Sequence, residues 1–138
     1  MLVADTSVVY SALVTSDRHH RACADLLGAG DAIVLPAPVV VELGLLGGRR
    51  LRPDVADRLL MSIADGSVLV VDPDREGYVR IRQLVSRYAD LPLDIVDASV
   101  VAIAERLEQD TIATLDRRHF SVVRPLHVPA FTLVPELN

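Results

Sequence analysis

Met1-Leu2-Val3-Ala4-Asp5-Thr6-Ser7-Val8-Val9-Tyr10 opens the chain with an apolar run that Asp5 stops and two hydroxyl residues follow. A short unbroken apolar run halted by a charge reads as a strand buried on both faces, as in the middle of a parallel sheet. Thr6 or Ser7 then caps a helix over 7–14. A strand running straight into a helix is the first half of a βαβ unit, and the rest of the chain repeats the pattern. A helix over 17–27, capped near Ser16 and closed by Gly28 and Gly30, leads to a strand over 32–35.

Pro36 and Pro38 introduce a helix over 38–46. Val39, Val40 and Val41 favour a strand by propensity, but Pro38 in the first turn and Gly47-Gly48 at the exit favour the helix. A helix over 53–63, a strand over 67–71 and a long helix over 73–88 follow. The helix over 94–109 has the clearest periodicity, with Val96, Val100, Ile103 and Leu107 at helical spacing. Strands over 111–115 and 131–134 complete the chain. Alternation of this kind predicts an α/β fold with a mostly parallel central sheet flanked by helices on both faces. With 138 residues and no repeat or linker, residues 1–138 read as one domain.

Hydrophobic residues make up 51% of the chain and charged residues 24%, the composition of a folded globular protein. The net charge is −5, and every one of the 14 basic residues is arginine. Without lysine, any chemistry that needs a lysine ammonium is excluded. The acidic balance argues against indiscriminate coating of nucleic acid, yet it leaves room for a local site that meets phosphates through bound cations. Cys23 is the single cysteine, which excludes an intrachain disulfide and a cysteine-rich zinc site and suits a reducing compartment. The N-terminus lacks a basic leader and acidic or polar residues interrupt each apolar run, so a soluble cytoplasmic protein is expected.

In a parallel sheet, ligands bind beyond the carboxyl ends of the strands where strand order reverses. Asp5 and Asp116 each directly follow a strand. Glu42 lies one turn inside a helix, in strongly apolar surroundings where an ionised glutamate is costly unless it reaches a cation, a partner or solvent. Asp94 and Asp97 share a face at the start of the long helix. Taken singly, Asp5 and Asp94 can be helix caps and Asp116 a turn residue. Gathered in one cleft, such carboxylates repel one another unless a cation neutralises them. An all-oxygen donor set points to Mg²⁺ or Mn²⁺, and through it to phosphodiester hydrolysis.

With these residues in view, the chain resembles the PIN-domain ribonucleases, specifically the VapC-type toxins of bacterial toxin-antitoxin pairs. The resemblance rests on Val3-Ala4-Asp5-Thr6-Ser7, on Glu42 after Pro36-Ala37-Pro38, on Asp97-Ala98-Ser99 leading a long helix, and on Thr114-Leu115-Asp116-Arg117-Arg118-His119-Phe120. It spans essentially the whole chain. It implies a PIN-like domain in which Asp5, Glu42, Asp97 and Asp116 are the catalytic acids and hold one or two Mg²⁺ or Mn²⁺ ions. It further implies an auxiliary acid at Asp94 and an auxiliary polar residue at Thr114, which would hydrogen-bond a ligand or water. The implied activity is endoribonucleolytic, leaving 5′-phosphate and 3′-hydroxyl ends. The implied partners are RNA, a cognate VapB-type antitoxin and a second copy of the chain.

Arg49, Arg50, Arg117 and Arg118 are candidates to meet RNA phosphates, against a plain role as solvated charges. His119 reads as a packing or surface residue. His19 and His20 are adjacent on a helix, face different directions and do not make a metal pair. Receiver-like and haloacid-dehalogenase-like phosphoryl transfer also place Asp at strand ends, but they need a lysine that this chain lacks. A non-toxin PIN nuclease and a non-catalytic partner-binding module remain as alternatives, separated by a neighbouring antitoxin gene with growth arrest and by metal-dependent turnover respectively.

Overall fold

A computed structural model of the chain describes residues 1–45 and 51–137. Leu2–Ala4 forms β1, Ile33–Pro36 β2, Val68–Val71 β3, Thr111–Ala113 β4 and Thr132–Val134 β5. All neighbouring pairs are parallel and the order is β3-β2-β1-β4-β5. The expected mostly parallel sheet is therefore parallel throughout. Every residue of β1 and β2 is buried, which requires cover on both faces, whereas the edge strand β3 is partly exposed.

Seven helices are seen among the described residues: α1 Thr6–Leu13, α2 His20–Leu27, α3 Ala37–Leu45, α4 Pro53–Ala64, α5 Arg75–Arg87, α6 Ile95–Arg106 and α7 Arg117–Phe120. The predicted cap of α1 shifts back by one or two residues, because Asp5 occupies that position in extended backbone. α2 starts three residues later than predicted. Asp17 Oδ1 accepts the His19 N–H at 2.8 Å, so 17–19 close into a local turn that competes with the helix. α3 is helical despite its valines because Val39 and Leu43, four apart, are buried in the core and packing overrides strand propensity. Pro38 falls in the first turn, where a missing N–H costs nothing.

α6 departs from a simple amphipathic stripe. Residues 97–104 are all buried, so the helix is walled in on every side rather than along one face. Its polar members are accommodated individually: Ser99 Oγ donates to the Val96 carbonyl at 2.6 Å. Near the other end of the helix, Arg80 of α5 grips Glu105 through two bonds, Nε to Oε2 at 2.9 Å and Nη2 to Oε1 at 2.8 Å. α7 was not expected, since four residues are too few to show a period.

Sheet topology fixes where a site can lie. The chain steps from β1 to β2 to β3 in one direction and then returns to lay β4 on the opposite side of β1. Strand order reverses between β1 and β4, whose carboxyl ends lie side by side, with Ala4 paired to Ala113. Asp5 leaves the first of these ends and 114–116 leave the second. β4 stops two residues earlier than predicted because Leu115 N–H donates to Ser7 Oγ at 3.0 Å and turns away from the ladder.

Candidate functional site

Asp5 follows β1 and is only 5% exposed. Although it holds the N-cap position of α1, its side chain makes no capping bond there. Instead, two hydroxyls converge on its Oδ2, Ser7 Oγ at 2.9 Å and Thr114 Oγ1 at 2.9 Å. Thr114 is fully buried and its hydroxyl also accepts the Asp116 N–H at 2.9 Å. Thr114 therefore links Asp5 to the loop that carries Asp116. Its O–H and one of its two acceptor lone pairs are thus engaged within the chain.

Thr114→Val keeps the shape but removes both bonds, leaving the half-buried Asp116 N–H without its acceptor. The expected cost is about 2 kcal/mol, or roughly 8 °C in melting temperature for a domain of this size. A thermal melt unchanged from wild type would show that the hydroxyl does not hold the two ends together.

Asp97 lies at the third position of α6. Asp94 Oδ1 accepts its N–H at 2.8 Å, and Asp97 Oδ2 accepts the Asp94 N–H at 3.4 Å, a reciprocal capping box. Asp94 is thus exposed and acts as the N-cap of α6. Asp97 is buried, and its carboxyl is pushed up to about 7, by burial first and then by the charges of Asp94 and Asp5, against the Asp94 N–H and His119. The Asp5 carboxyl is also raised, by burial first, with the Glu42 charge adding to it and the Ser7 and Thr114 hydroxyls opposing. Both shifts have one meaning: this pocket holds more negative charge than it can solvate.

Asp116 caps α7. Its Oδ1 accepts the His119 N–H at 3.1 Å and its Oδ2 lies 2.6 Å from His119 Nδ1. The same Nδ1 is 3.5 Å from Asp97 Oδ2. Asp97, Asp116 and His119 present ligand atoms that all lie within 4.8 Å of one another, a spacing that suits one cation. Glu42 is half-buried on α3 and lines an open, largely apolar groove of about 720 Å³ with Val41, Leu45, Tyr78 and Asp72. Its tie to the acidic group is the charge it projects on Asp5.

The arginines divide. Arg117 Nη2 donates to the Pro135 carbonyl, which occupies one edge of its guanidinium, while Arg118 is exposed. Arg49 and Arg50 lie outside the described residues. Sequence reasoning missed two residues of the site. Ser7 was given a part only as a candidate helix cap and a motif member, and its position in the first turn of α1 is what aims it at Asp5. His119 was read as packing, although its spacing of three from Asp116 on a helical turn was the available signal.

No helix among the described residues is long and apolar enough to cross a membrane. The sequence matches the PIN domain family over residues 2–125. It is 31% identical over 135 residues to Ribonuclease VapC26 of Mycobacterium tuberculosis, covering 97% of this chain and 100% of that protein. The fold superposes on the crystal structure of Mycobacterium tuberculosis VapC20, a Sarcin-Ricin loop cleaving toxin, with a TM-score of 0.79 and 18% identity over 94% of this chain and 99% of that one. It also superposes on VapBC2 from Rickettsia felis bound to a DNA fragment from their promoter, with a TM-score of 0.65 and 15% identity over 96% of both chains.

Proposed function

Because the chain belongs to the PIN-domain family, which it matches over residues 2–125, we propose that it is a divalent-cation-dependent endoribonuclease and the toxin of a VapBC-type pair. One observation carries this reading. Three acids from distant parts of the chain, Asp5, Asp97 and Asp116, meet at the reversal between β1 and β4, and the Asp97 carboxyl is held at about 7 by burial and by its neighbours' charge. Such a pocket is complete only with a cation in it. The ribonuclease name of a relative that matches from end to end supports RNA as the substrate.

The residues fit Mg²⁺ or Mn²⁺. Carboxylate oxygens dominate the donors, and Asp97 and Asp116 are spaced for a shared ion, with Asp5 and Glu42 supplying further charge. A bound ion supplies an acidified water as nucleophile and neutralises charge on the phosphodiester. The chain's own residues do the rest. Ser7 and Thr114 fix the Asp5 carboxyl, and the capping box fixes Asp97, which would hold the ion as its carboxylate. Hydrolysis adds water to phosphorus and breaks the bond to the 3′-oxygen, leaving 5′-phosphate and 3′-hydroxyl ends. Arg118 stands exposed beside Asp116 as a cation for an RNA phosphate, with Arg49 and Arg50 proposed for the same task and Arg117 after it turns from Pro135.

The whole of 1–138 is proposed to act as one cytoplasmic domain, self-associating and held inactive by a VapB-type antitoxin, a partner suggested by the likeness to VapBC2 from Rickettsia felis. Purified protein incubated with single-stranded RNA is expected to cut it with Mn²⁺ or Mg²⁺, to stop in EDTA, and to leave ends that are ligatable only through a 5′-phosphate. Cleavage that continues undiminished in EDTA would overturn the assignment. Co-expression of the adjacent antitoxin frame is expected to relieve growth arrest.

A further inference from the structure

Both carboxylate oxygens of Asp116 are taken by one residue. His119 donates its backbone N–H to Oδ1 at 3.1 Å and brings Nδ1 to 2.6 Å from Oδ2. An ionised carboxylate can only accept, so the hydrogen in the short contact sits on Nδ1, and the distance is that of a charge-assisted bond. α7 is four residues long, and a single turn does not hold its own shape. What anchors it is Phe120, 1% exposed in the core, which carries the neighbouring histidine ring along with it. The side chain of His119 is itself only 19% exposed.

An imidazole among acids can be a ligand or a brace, and the geometry distinguishes the two. With its hydrogen directed at Asp116, Nδ1 has no lone pair to offer a cation, and the ring's remaining lone pair is on Nε2, which is buried without a polar partner and points away from the short contact with Asp116. Nδ1 also lies 3.5 Å from Asp97 Oδ2, so the ring is tied to one acid and merely adjacent to the other rather than set midway between them. Each oxygen of Asp116 keeps a second lone pair that faces away from its His119 donor.

We infer that His119 is a positioning residue: its Nδ1–H locks the Asp116 carboxylate in the orientation that receives the divalent ion, while Phe120 anchors the ring. The inference rests on the metal-dependent nuclease reading and deepens it. A ligating carboxylate held this way binds its ion more tightly, and loss of such a support typically costs about 10–100-fold in affinity.

The test uses variants that place an amide N–H at two different reaches. In His119→Asn the amide nitrogen falls where Nδ1 sits, in His119→Gln it falls one bond farther out, and His119→Leu has none. Mn²⁺ is titrated into each full-length protein and followed by loss of the free-ion electron paramagnetic resonance signal, with melting curves in EDTA alongside. Expected is Mn²⁺ affinity within about threefold of wild type for His119→Asn, and about 10–100-fold weaker for His119→Gln and His119→Leu, with the Asn and Gln variants melting together. Should the leucine variant not fold, the Asn and Gln pair still decides. Equal affinity in that pair overturns the positioning role and leaves the nuclease reading intact. Wild-type protein that takes up no Mn²⁺ and cuts no RNA brings down both.

Discussion

Replacing Asp97 by Asn is expected to lower metal-dependent RNA cleavage about a thousandfold, or about 4 kcal/mol of barrier, while making the metal-free protein harder to melt. Asp97 is 9% exposed, and burial first, then the charges of Asp94 and Asp5, push its carboxyl up to about 7. An unfolded Asp titrates near about 3.9, so between about pH 4 and pH 7 the folded chain keeps a proton that the unfolded chain has released. Stability from that proton is complete below about pH 4 and is lost as pH rises through about 7. An asparagine needs no proton to be neutral. In EDTA at pH 8 the variant is therefore expected to be more stable than wild type by about 1–2 kcal/mol, and at about pH 3.5, where folded and unfolded chains both largely keep the proton, the two should melt together. Calorimetry at the two pH values checks this, and a variant that melts lower than wild type at pH 8 would contradict it. Stability and activity oppose each other at this residue because both come from the same uncompensated charge.

The second large effect lies at the other end of α6. Arg80→Ala leaves Glu105 in place with a side chain only 9% exposed and no cation on its two oxygens. Breaking a buried pair from one side costs about 3–5 kcal/mol, because the remaining charge stays desolvated. For a domain of this size a loss near 3 kcal/mol lowers the melting temperature by roughly 12 °C. Replacing both members with apolar residues, Arg80→Met with Glu105→Leu, is expected to recover most of that loss, since the orphaned charge goes with the pair. A double variant as unstable as Arg80→Ala would show that the fork itself, rather than the stranded glutamate, sets the energy. Because α6 carries Asp97 in its first turn, Arg80→Ala should lose cleavage on warming before it does so in the cold.

What the sequence made legible follows from the range of the interactions involved. β1 and α6 are apolar enough to declare themselves, and Asp5 follows β1 directly while Asp116 comes three residues after β4, so their place at the carboxyl edge of the sheet was readable. The turn of 17–19 was not, because Asp17 captures the His19 N–H by a side-chain bond that periodicity does not register. Thr114 was assigned to a ligand because its partners, Asp5 and Ser7, are more than a hundred residues away in the chain. Arg117 looked like an RNA cation because nothing local announces Pro135 as its acceptor. α7 was missed for its brevity, and His119 went with it. For Thr114 and Arg117 the missing information belonged to contacts between segments distant in the chain, and for Asp17 and α7 to local side-chain bonds too short to leave a period.

That β1 and β4 lie side by side has a consequence for how the chain is made. Asp116 is synthesised 111 positions after Asp5, a delay of roughly 6–22 s at ordinary elongation rates. Throughout that interval the growing polypeptide has a carboxylate but no opposing strand to place a second one against it. On the proposed nuclease reading, an unfinished copy lacks one of its acids, and a separate inhibitor has a target only once the last third of the chain folds into place.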